Sequence, residues 1–70
     1  MTLKTLTAVL HKEDEMYVAE CPEVGTVSQG YSIEESLENL KEATELYLEE
    51  FPIKKIDKIL MTTFEAAISA

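Results

Sequence analysis

Residues 25–37 read GTVSQGYSIEESL, from Gly25 to Leu37. Gly25 and Gly30 stand five apart, and Tyr31-Ser32 follows. A phosphate loop of the form G-x-x-x-x-G-K-[ST] would fill all but one slot here. The missing slot is the lysine, replaced by Tyr31, and Glu34 and Glu35 bring negative charge to the place where an anion would dock. Their field opposes phosphate. The stretch therefore reads as a strand that ends at Gly30 and a helix that begins after Ser32. Ser32 and Glu35 form the S-x-x-E capping box that starts helices. Gly30 supplies a position where a side chain is costly.

Working outward, Ile33, Leu37, Leu40, Thr44, Tyr47 and Leu48 recur at three- and four-residue steps and line one helical stripe. Glu38, Glu42, Glu45 and Glu49 line the opposite face, with Leu46 among them. Pro52 cannot continue a helix and biases Phe51 out of it, so the spacing predicts a helix over Ile33–Glu50. Upstream, residues 3–11 alternate: Leu6, Ala8 and Leu10 on one side, Thr5, Thr7 and Val9 on the other. That period marks a strand. A charged turn, Lys12–Glu15, leads to a second strand, Met16–Glu20, closed by Pro22. The short connection predicts an antiparallel hairpin. Val24–Gln29 is a third strand. After a connection holding Lys54, Lys55 and Lys58, alternation returns over Ile59–Ile68. Leu60, Thr62, Phe64, Ala66 and Ile68 share one side; Met61, Thr63 and Glu65 share the other.

The expected fold is α+β, with order β-β-β-α-β and one helix packed on one face of an antiparallel sheet. The uncovered face would carry Thr5, Thr7, Met16, Val18, Thr26, Ser28, Met61 and Thr63. That surface is too apolar for water and too polar for a deep core, so it is expected to be a partner or oligomer interface, together with Leu46.

The chain has 70 residues, enough for one small domain spanning 1–70. A core of that size rarely supplies more than ~3–5 kcal/mol. The single cysteine forms no internal disulfide. Formal charge is −8, from 14 acidic residues and six lysines. That argues against nucleic acid as a direct ligand, since phosphate binding requires a positive field, and against anionic membranes. A basic protein partner fits. No apolar run reaches the ~20 residues of a membrane span. The N-terminus has no long hydrophobic region of the signal-peptide kind, so a cytoplasmic location is expected.

Cys21 and His11 could form a nucleophile–base pair if they met, but no cation nearby in sequence lowers the thiol pKa. Cys21 shares its strand side with Tyr17 and Ala19, which suits burial under the helix, and His11 beside the charged turn suits solvent. A two-metal nuclease needs carboxylates converging from separate elements, and only Glu20 and Glu65 lie well inside strands. No catalytic, metal or cofactor site is expected.

The stretch from Met16 to Glu50 resembles the N-terminal domain of HicB-type antitoxins. The resemblance rests on Tyr17-Val18-Ala19, Cys21-Pro22-Glu23, Ser28-Gln29-Gly30, and a helix carrying Glu34-Glu35, Leu37, and Asn39-Leu40-Lys41-Glu42-Ala43. It implies a partial RNase H-like unit without catalysis. It further implies a role in masking a HicA-type toxin, a small basic ribonuclease that cuts messenger RNA, and a homodimeric or homotetrameric state. Many relatives carry a C-terminal DNA-binding segment, whereas the 70 residues here end just after the last predicted strand. A short form without a DNA-binding domain is expected. Two other readings remain: an acidic adaptor for a non-toxin partner, and a remnant metal-dependent nuclease using Glu20, Glu65 or helix carboxylates.

Overall fold

The computed structural model describes residues 3–53 and 55–69. Lys54, counted above among the connection lysines, lies outside them, as do residues 1, 2 and 70. Three strands, β1 (Val9–Glu13), β2 (Met16–Cys21) and β3 (Thr26–Gly30), precede one helix, α1 (Ile33–Glu50). The sheet is antiparallel with β2 in the middle. The fold is α+β, with α1 packed on β2 and β3.

The first hairpin is tighter than its charge pattern suggests. β1 extends through Lys12 and Glu13, and the turn is Asp14-Glu15 alone. Asp14 takes φ 55°, a left-handed conformation that a short polar side chain tolerates. At the second turn, the Gly25 N–H donates to the Cys21 carbonyl at 2.7 Å. Its φ of 93° is one a side chain rarely adopts.

Register sorts the side chains. Leu10 pairs with Ala19, and Cys21 with Thr26, so Leu10, Tyr17, Ala19, Cys21, Thr26, Ser28 and Gly30 face α1. Val9, His11, Met16, Val18, Glu20, Val27 and Gln29 face away.

The helix has the boundaries its sequence predicts. The Ser32 hydroxyl accepts from the Glu35 N–H at 3.0 Å, and the Glu35 carboxylate accepts from the Tyr31 N–H at 2.8 Å. The first satisfies one of the donors a helix start leaves free, and the second ties the residue before the N-cap to the first turn. The stripe that reaches the sheet is narrower than expected: Ser36, Leu40 and Thr44 are buried, whereas Ile33, Leu37 and Tyr47 stay substantially exposed. Three strands are too few to cover a wide stripe.

Two sequence expectations change. Residues 3–8 belong to no strand, although Leu6 and Ala8 still pack against the core. The fourth strand over Ile59–Ile68 is not formed, and residues 60–69 are all exposed. An alternating segment becomes a strand only when an edge accepts its backbone groups, and here the segment leaves the body. The longest dimension is 49 Å, and the radius of gyration is 14.2 Å. A compact chain of this length would have a radius of about 11 Å.

The core is correspondingly small. Ala19, Cys21 and Leu40 are its buried apolar residues, with Leu6, Ala8, Leu10 and Val24 half-buried around them. Among the described residues, fourteen large apolar side chains are exposed by more than a third, among them Leu60 at 85% and Phe64 and Ile68 at 87%. Single exposed apolar residues are ordinary, but this imbalance is that of a chain with a contact surface still to cover.

Candidate partner-binding surface

The helix places a column of carboxylate on the outside. α1 carries seven glutamates and Lys41 over 18 residues, and all eight side chains are exposed. Glu34 and Glu35 suit the positive helix start. Glu49 and Glu50 stand at the negative end with no basic residue in the last turn, where the dipole disfavours them. The Glu38, Glu42, Glu45 and Glu49 face thus sets like charges side by side, at some cost to the helix. Leu46, 57% exposed, stands among these carboxylates. At the C-terminal end the Tyr47 and Phe51 rings lie 5.0 Å apart, and both are exposed. Phe51 is a surface residue that the periodicity missed, because it lies one position past the helix.

The expected uncovered sheet face is only partly assembled. Met16 and Val18 lie on it, half-buried, beside exposed Val27. Thr26 and Ser28 do not. The register puts them under α1, where Thr26 Oγ1 lies 2.6 Å from Thr44 Oγ1. Alternation within β3 separates its two sides but cannot say which is inward. That is fixed by the pairing with Cys21 and Ala19.

Thr7 is engaged elsewhere. Its backbone N–H and its hydroxyl both donate to the Glu23 carboxylate, at 3.0 and 2.6 Å. Thr5 is exposed, and Met61 and Thr63 stand exposed outside any strand.

The reactive side chains have structural partners. His11 is exposed on the outer side of β1, its Nε2 3.1 Å from Glu13 Oε2, while Cys21 is buried on the inner side of β2. The two do not meet. Burial pushes the Cys21 thiol above its ordinary pKa, and its Sγ donates to Glu23 Oε1 at 3.6 Å. The hydroxyl of Thr7 holds the Glu23 carboxyl below its ordinary range. Among the described residues, no three His, Cys, Asp or Glu side chains gather closely enough to hold a metal ion. The start of α1, where a phosphate would sit, is occupied by the chain's own Ser32 hydroxyl and Glu35 carboxylate.

Several residues of the short motifs work inside the fold. Asn39 Nδ2 donates to the Gln29 carbonyl at 2.8 Å, tying α1 to the edge strand β3. Gly30 permits close approach: a Cβ there would lie 2.7 Å from the Ser36 backbone nitrogen and 2.9 Å from the Glu35 carbonyl carbon. Its φ is not in the left-handed region, so the need is for space and not for an unusual turn. Glu23 clasps residue 7 to the β2–β3 turn. Spacing alone did not identify these roles for Asn39 and Glu23, since each depends on a group distant in sequence.

These features define an acidic α+β module that presents carboxylates and uncovered apolar side chains on its outside. No helix among the described residues is long and apolar enough to cross a membrane. The chain is 52% identical over 44 residues to a protein of Helicobacter pylori (strain J99) described as a UPF0150 protein. The match covers 61% of this chain and 61% of that relative. No family model matches, and no solved structure matches.

Proposed function

We propose that the protein is a HicB-like antitoxin module that acts in the cytoplasm and masks a small, basic HicA-type messenger-RNA-cutting toxin. The observation that carries the reading is the exposed glutamate face of α1, retained through the last turn where the helix dipole opposes it. A basic ribonuclease surface would neutralise that face, and Leu46 with the Tyr47–Phe51 pair would supply apolar anchors beside it. The sequence resemblance over Met16–Glu50 supports the same assignment. So does the Helicobacter pylori relative, since UPF0150 is the HicB-like family. The protein acts here by occupying a surface, without catalysis of its own, and as a homo-oligomer.

The test is co-expression with the small basic protein encoded beside its gene. Growth should be rescued, and the purified complex should weaken as salt rises, because charge complementarity is screened. Replacing Glu38, Glu42, Glu45 and Glu49 by glutamine should lower the association rate and flatten the salt dependence. Absence of both rescue and complex removes the reading.

A further inference from the structure

The segment Ile59–Ile68 has the pattern of a half-buried strand and the exposure of none. Leu60, Phe64 and Ile68 share one side and are each at least 85% exposed. The segment ILMTTFEAAI carries one charge, Glu65, in a chain of net charge −8. Elsewhere in the fold, an apolar groove of about 410 Å³ opens between α1 and residues 3–8. Leu3, Leu6, Ala8, Leu37, Leu40 and Leu48 supply its apolar wall. Residues 3–8 lead into β1, an outer strand of the sheet whose other side pairs with no strand among the described residues.

The root of the segment already lies there. Ile56 lines the groove, and Ile59 borders a second hollow with Lys4, Thr5, Leu6 and Thr7. Beyond Ile59 the chain leaves the body.

We propose that Ile59–Ile68 is an exchanged arm: in a symmetric dimer, each copy lays this segment along the β1 side of the other, with Leu60, Phe64 and Ile68 in the partner's groove. This rests on the homo-oligomer part of the reading above and is independent of the toxin. Three observations select a second copy as the occupant. From Leu60 on the arm is exposed and lines no groove of its own chain, while its root at Ile56 and Ile59 stands at the rim, as reciprocal exchange requires. Two chains of charge −8 repel, so a self-contact belongs where charge is lowest, and this ten-residue segment has a single carboxylate. The size also suits a stable pair. Ten arm residues and the ten groove-lining residues that are not buried make 20 per copy, at the lower end of the roughly 20–30 per side of a standard interface.

The experiment places a photo-crosslinking phenylalanine analogue at position 64 of the full chain and mixes unlabelled with ¹⁵N-labelled protein before irradiation. The expected result is a covalent dimer with mixed-label crosslinked peptides, joining position 64 to residues 3–8 or 37–48. In parallel, Phe64→Glu should raise the dimer dissociation constant at least about tenfold, while the helical circular dichroism is unchanged. Crosslinks confined to single-label peptides would mean that the arm folds back on its own chain, and the proposal fails. A dimer crosslinked at other residues, or one unaffected by Phe64→Glu, keeps the oligomer reading and removes the exchange. A protein that stays monomeric at high concentration removes both. A Leu37→Glu variant probes the groove from the other side and should dissociate the dimer in the same way.

Discussion

Gly30→Ala tests the central joint of the fold. The strand β3 and the first turn of α1 meet at this residue with no room for one more carbon. The added Cβ would lie 2.7 Å from the Ser36 nitrogen and 2.9 Å from the Glu35 carbonyl carbon, against 3.4 Å or more for ordinary contact. These two obstacles are backbone and no rotamer change relieves them; the third, Glu35 Cγ at 2.9 Å, is a flexible side chain. The helix must move off the sheet by several tenths of an ångström, which loosens Ser36 and Ala19, both at 0% exposure.

Overpacking of this kind costs about 1–3 kcal/mol. A 70-residue domain loses roughly 4–8 °C of Tm per kcal/mol, so a cost of about 2 kcal/mol lowers Tm by roughly 8–16 °C. The assay is urea and thermal unfolding followed at 222 nm. Gly25→Ala is the informative comparison. It has nothing within 4 Å but sits at φ 93°, so its cost arises from backbone conformation alone. The reasoning is refuted if Gly30→Ala loses less than about 0.5 kcal/mol, the size of an ordinary surface substitution. It is also refuted if Glu35→Ala rescues Gly30→Ala, because the obstacle would then be the flexible Glu35 Cγ and not the helix backbone.

Three further outcomes follow from the hydrogen bonds. Thr44→Val strands the half-buried Thr26 hydroxyl and should cost about 1–2 kcal/mol, whereas Thr26→Val with Thr44→Val should recover part of the loss; a double-mutant cycle in urea measures the coupling. Glu23 is held ionised by Thr7, so its folded pKa lies below its unfolded one and the unfolded chain binds the proton first as pH falls. Its contribution is complete above the ordinary carboxylate range and is lost as pH drops through the folded value; Thr7→Val should flatten that acid limb of the urea midpoint. Ser32→Ala removes the acceptor of the Glu35 N–H and should cost about 1 kcal/mol, visible as reduced amide protection in the first turn of α1.

The capping box, the Pro52 stop and the apolar period were enough to place α1 from Ile33 to Glu50, because helix signals are local. The three-strand order was legible for the same reason: short alternating runs separated by turn residues specify hairpins. Burial of Cys21 and the need for a small residue at Gly30 were also legible, but the groups that Gly30, Asn39 and Glu23 act on were not. Each acts on a group from a different element: Gly30 on the Ser36 backbone, Asn39 on the Gln29 carbonyl, Glu23 on Thr7. These motif residues therefore report first on how the domain is held together. The surface suited to a partner lies on residues outside that internal set, along the glutamate face and around Tyr47 and Phe51.

Sequence by itself determined the hairpins, the helix and its charge, all of which depend on neighbours within a few residues. Tertiary structure decided which side of β3 faces inward, why Gly30 is glycine, and that Ile59–Ile68 stands free. The physical reason is common to all three. Alternation in a strand defines two sides but not their destinations, and a strand exists only where another edge takes its hydrogen bonds. Thr26 and Ser28 turned inward because β2 offered Cys21 and Ala19 opposite them. Leu60, Phe64 and Ile68 stayed outside because, within one chain, their segment is joined to no edge.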